Sequence, residues 1–182
     1  EVIWRLEQKK IQMKEKRRFS GCKVAVSSFR FNKALEKLRF DCDALGIYFG
    51  NRNYSVNTSI HLLGGYDYNY YKKDWAAGFQ TKNCWDGEFS YYLNYKQRDD
   101  IGDARTNWEL NRHFQFALLA KGYFVSGDRQ YADSLEELFI DWNEKNSFLH
   151  GISWTSAMEI AIRCIQWTIA LSFLQKKGDI LY

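Results

Sequence analysis

DARTNWELNRHFQFALLAKGYFVSGDRQYA, residues 103–132, is the stretch from which the fold class is read. Phe116, Leu119, Ala120 and Tyr123 recur at i, i+3, i+4 and i+7, the repeat of one helix face, and predict a helix from Asp103 to Val125. Ser126-Gly127-Asp128 then ends that helix and caps the next, since Gly takes the left-handed conformation at no cost and Asp accepts from free N–H groups. In the second helix Leu135, Leu138, Phe139 and Trp142 keep the same offsets, with Asp133, Glu136, Glu137 and Asp141 outside the stripe. It is an outer, half-exposed helix. A third helix begins after Gly151 and runs to about Gln175; from Met158 to Leu174 it is apolar nearly all round, which predicts burial on most sides.

Short connections between long helices imply antiparallel hairpins. The expected fold is therefore all-α, with residues 101–182 forming the first hairpins of a helical array. Residues 1–100 form a basic, loop-rich N-terminal flank with short helices. Residues 3–18 read as a surface helix, and Asn32 caps a second short helix holding Leu35, Leu38 and Arg39 before Gly46. From Gly50 to about Asp100 the helical period is lost. Asn51, Asn53, Asn57, Asn69 and Gly64-Gly65 punctuate a Tyr-rich stretch that reads mostly as loop, with short strands possible.

Two polar constellations stand on the first and third helices. Trp108, Glu109, Arg112 and His113 form one, and Trp154, Glu159 and Arg163 the other. Glu109 and Arg112 are three residues apart and Glu159 and Arg163 four apart, so each carboxylate is expected to hold the Arg of its own helix. A guanidinium fork matches a carboxylate or sulfate, and an indole offers a flat face to a pyranose ring. Such a face suits a sugar-acid chain. The same residues equally describe a staple in which Arg–Glu pairs and Trp rings lock two packed helices together. If alternate helices are inner ones, both sets point to a common cleft.

Composition narrows the function classes without choosing one. A chain of 182 residues builds one ordinary domain with a real core. It has no proline, where average usage of about 5% predicts roughly nine, so helix interiors go unbroken. Aromatics are 18% of residues, as fits ring stacking or an aromatic-rich core. Residues 1–40 carry 12 Lys and Arg against 4 Asp and Glu, an excess that could meet a polyanion or face solvent. Cys22, Cys42, Cys84 and Cys164 form no C-x-x-C pair, and His61 has no partners at ligand spacing, so no metal or cofactor is implied. Cys164 is expected to pack as a small hydrophobe. No run of about 18 uncharged apolar residues marks a transmembrane helix, and the charged stretch from Glu1 to Arg18 has no secretory apolar core.

Three segments in order resemble the heparinase II/III family of polysaccharide lyases: DIGDARTNWELNRHF from Asp100, SGDRQYA from Ser126 and GISWTSAMEIAIR from Gly151. HLLG at His61, the segment from Trp75 to Phe79 and the opening WRLEQK are similar to parts of that family as well. The resemblance implies an incomplete (α/α) toroid whose full-length relatives, often periplasmic, cleave uronate-containing polysaccharide by β-elimination. The family's catalytic Asn, His and Tyr motifs lie farther along its chain than Tyr182, so no catalytic residue is assigned here. The expected substrate-binding set is Trp108, Glu109, Arg112, His113, Trp154, Glu159 and Arg163. Ser153 departs from the Asn that commonly precedes the Trp in the family. The partners expected are an anionic polysaccharide and either the remaining part of the toroid or another chain. An alternative is a non-catalytic module that binds anionic glycans. A nucleic-acid partner explains none of the pattern between residues 100 and 163.

Overall fold

The structure, a computed structural model, describes residues 10, 13, 14, 17, 55–96 and 98–176. Most of the expected helix over residues 3–18, the helix after Asn32, Cys22 and Cys42 lie outside the described residues. Lys10, Met13, Lys14 and Arg17 are exposed.

The all-α toroid expectation is corrected by a β-hairpin that precedes the helices. Strand β1 (Ser59–Leu62) pairs antiparallel with β2 (Tyr66–Asn69), in the register Ile60 to Tyr68, His61 to Asp67 and Leu62 to Tyr66. Strand side chains alternate, so Leu62 and Tyr68 enter the core while His61 and Asp67 face solvent and bond at 2.9 Å. Gly64 and Gly65, with φ of 85° and 80°, make the turn, a conformation side-chain-bearing residues rarely adopt. Four-residue strands are too short to reveal a period of two inside a Tyr-rich stretch. A 3-10 turn, Tyr70–Lys72, follows.

The expected long helix from Asp103 to Val125 is two. Helix α1 (Ala104–Leu110) is capped by Asp103, whose side chain accepts from the Arg105 N–H. The chain breaks over Asn111 to His113, where His113 is left-handed with φ 64°, and helix α2 (Phe114–Ser126) begins. Gly127, with φ 76°, ends α2, and Asp128 caps helix α3 (Arg129–Lys145) by accepting from the Gln130 N–H, as the sequence indicates. A second 3-10 turn, Ile152–Trp154, precedes helix α4 (Ala157–Lys176).

The two-residue connection folds α3 back on α2, with Phe116 near Phe139 and His113 near Trp142. Helix α4 runs alongside α2 in the same direction, with Asn111, His113 and Phe124 of the α1–α2 segment meeting Arg163, Trp167 and Phe173 in turn. The main core lies between these helices and the hairpin and includes Leu62, Tyr68, Trp75, Phe116, Leu138, Trp142 and Leu174. A smaller cluster of Trp85, Leu93, Ile101, Ala104 and Ile152 lies against Trp108.

Helix α4 is less enclosed than its composition implies. Met158 and Ile165 are 62% and 54% exposed, and Cys164 faces outward rather than into the core. Its stretch Ala157–Leu174 has a mean hydropathy of 1.4 and, by length and composition alone, is apolar enough to cross a membrane. The two charged side chains within it, Glu159 and Arg163, are nevertheless buried against protein groups.

Candidate functional site

The break between α1 and α2 brings Arg112 to Glu159 and a free carbonyl to Arg163. A left-handed residue interrupts the helical ladder and leaves carbonyls near its end without an intrahelical donor. Arg163 Nε donates to the Asn111 carbonyl at 2.7 Å, while its Nη2 donates to the Ser153 carbonyl at 2.8 Å. The guanidinium lies over the Trp142 and Trp154 rings, 4.6 and 5.4 Å from their centroids. Arg163 is 1% exposed, and burial pushes it down to about 10, still charged at neutral pH.

Glu159 therefore holds a different arginine from the one its spacing indicates. It receives Arg112 Nε at 2.6 Å and Nη2 at 3.0 Å, a two-pronged pair that ties the helix break to the start of α4. The Glu159 carboxylate is 1% exposed, and its bonds raise the Arg112 guanidinium above its ordinary value. Glu109 is the looser neighbour, with Oε1 3.6 Å from Arg112 Nη1. Its Oε2 accepts instead from the Leu63 N–H, joining α1 to the end of β1. Arg112 Nη1 is thus the prong without a hydrogen bond among the described residues, and it sits at a partly exposed edge.

The tryptophans are anchored by their indole nitrogens or rings. Trp108 Nε1 donates to the Ile152 carbonyl at 3.2 Å and to Thr155 Oγ1 at 3.0 Å, and Tyr95 meets its ring edge-on at 5.3 Å. Trp154, in the 3-10 turn rather than on α4, packs against Phe148 and Trp142. Trp108, Glu109, Arg112 and Trp154 form a half-buried rim, whereas His113, Glu159 and Arg163 are interior. Ser153 donates its hydroxyl to Asn146 Oδ1 at 2.8 Å, fixing the turn whose carbonyl receives Arg163.

His113 is fully buried, and Trp167 Nε1 donates to its Nδ1 at 2.8 Å. Burial first, and then the nearby Arg163 charge, hold the imidazole well below its ordinary value. It is neutral, with no face to solvent. Asn107 and Asn111, not singled out from the sequence, complete the scaffold. Asn107 and Asn111 both donate to the Trp75 carbonyl at 2.9 Å, and Trp142 Nε1 donates to Asn111 Oδ1 at 2.8 Å. Two poor helix formers four residues apart were the available signal. Among the described residues no group of three His, Cys, Asp or Glu side chains comes together to hold a metal.

No protein-family profile matches the chain, and no solved structure does. A stretch of 46 residues, a quarter of the chain, is 41% identical to a heparin-sulfate lyase of Bacteroides stercoris. The match spans 7% of that protein's length. It is a short, partial likeness to a polysaccharide lyase.

Proposed function

We propose that this chain is part of a polysaccharide-lyase-like protein and engages uronate-containing anionic polysaccharide at the Trp108, Arg112 and Trp154 rim. β-Elimination requires a group to neutralise the uronate carboxylate, a base for the adjacent proton and an acid for the departing oxygen. The rim offers the first of these. Arg112 is held by Glu159 with Nη1 left over, and a sugar carboxylate reaching that nitrogen competes only with the long Glu109 contact. His113, beside the rim, does not supply the base or the acid, since it is sealed and already accepts a hydrogen bond. The spare Arg112 prong, together with the likeness to a heparin-sulfate lyase, is the observation that carries this reading.

The test is titration of the chain with sulfated and unsulfated uronate polymers and with a neutral glucan. Binding to the acidic polymers alone, falling as salt rises and at least tenfold weaker in Arg112→Ala, is expected. Absence of binding to any uronate polymer at low ionic strength refutes the proposal.

A further inference from the structure

The chain has three histidines, and their surroundings differ in one respect. His61 Nδ1 faces the Asp67 carboxylate at 2.9 Å and His150 Nδ1 faces the Phe148 carbonyl at 3.0 Å, so each lies beside an acceptor that accommodates a ring proton. His113 Nδ1 faces a donor, the Trp167 indole N–H. An indole nitrogen only donates, so this nitrogen must keep its lone pair and the ring must be the neutral tautomer with its proton on Nε2.

That ring is built into the seam between α2 and α4. It stacks on Phe116 at 4.2 Å and lies near-parallel to Trp167 at 5.8 Å, while Trp142 and Trp75 meet it edge-on at 4.8 and 5.7 Å. The charged groups on the elements packed round it include Arg112 and Glu109 beside the break, Arg163 and Glu159 on α4, Lys121 on α2, and Asp141 and Lys145 on α3, while Arg129, Asp133, Glu136, Glu137 and Glu144 of α3 and Asp74 beside Trp75 are exposed. Asp141 is occupied with Trp75 Nε1 and Lys145, and Glu159 with Arg112, whereas the cation Arg163 bears on the imidazole itself. No carboxylate among them makes a contact with the ring that favours its protonation.

We propose that His113 is an acid-sensitive latch: only its neutral imidazole closes the α2–α4 seam, and a proton on Nδ1 opens it by setting N–H against N–H. Opening the seam also removes the Asn111 carbonyl from Arg163, because Asn111 and His113 lie on the same three-residue break. The latch stands apart from the polysaccharide reading.

The test is denaturant unfolding of the wild-type chain and of His113→Asn from neutral pH downward. Asn is suited to the left-handed backbone, and its Oδ1 offers Trp167 an acceptor that takes no proton in this range. The wild-type folding equilibrium is expected to fall, approaching tenfold per pH unit once the pH is below about 6.5, the value of an unfolded-state histidine. The Asn variant lacks that one-proton dependence. Equal dependence in the two proteins overturns the latch. Should the variant not fold, 15N spectra of the wild-type imidazoles decide. Loss of the folded signals as His113 gains its second proton supports the proposal, and a folded species with His113 doubly protonated contradicts it.

Discussion

At the scale of single residues, the charged pairs rank by how completely each is enclosed. Arg163 satisfies two backbone carbonyls from within the fold, so Arg163→Met leaves both without a donor. Its expected cost is about 3–5 kcal/mol in urea unfolding. Arg163→Lys is expected to recover only part of that loss, because an ammonium lacks the planar fork that meets two carbonyls while lying over two indoles. Glu159→Gln, which weakens the enclosed partner of Arg112, is expected to cost about 3 kcal/mol. Glu109→Gln, at a partly exposed site 3.6 Å from the same arginine, is expected to cost about 0.5 kcal/mol. A double-mutant cycle with Arg112 measures both couplings; a stronger coupling to Glu109 contradicts the geometry. The residue types of this network were legible in the sequence, but their pairing was not. Helical spacing puts Glu159 with Arg163 only if both side chains face one neighbour, and the break before His113 and the second 3-10 turn each supply Arg163 with a carbonyl instead.

At the scale of elements, the helix signals that held were those with a local cause. Asp103 and Asp128 cap where their side chains accept from N–H groups two residues on, and Gly127 takes the left-handed turn. The break at Asn111 to His113 was hidden because neither Gly nor Pro marks it, and its compensation comes from Arg163 and Trp167, some fifty residues distant in sequence. Gly122 gives an element-scale test with an unusual sign. Ala normally stabilises a helix interior relative to Gly by about 1 kcal/mol. Here a Cβ on Gly122 meets Val56 Cγ2 at 2.8 Å and the Tyr131 ring at 3.2 Å, where α3 crosses α2. Gly122→Ala is therefore expected to destabilise by about 1–3 kcal/mol in thermal or urea unfolding. A stabilised variant shows that the two helices have room to part.

At the scale of the whole molecule, the short strands tie the helical region to the chain before it. Leu62 and Tyr68 enter the same core as Phe116 and Leu138, and the Leu63 N–H and carbonyl engage Glu109 and Thr106 of α1. An all-helical reading missed this because strand contacts of this kind are non-local and leave almost no periodic trace in four residues. Among the described aromatic residues, Trp75, Trp142 and Trp167 surround His113, and the rim holds Trp108 and Trp154 in half-buried positions. The proposed role therefore rests on recognition of the sugar acid at the spare prong of Arg112, rather than on overall charge. Affinity for heparan sulfate, compared with the same polymer after reduction of its carboxyl groups with sulfates intact, isolates that claim. At low salt the account predicts binding at least tenfold tighter to the carboxylate-bearing polymer, and equal affinity for the two would contradict it.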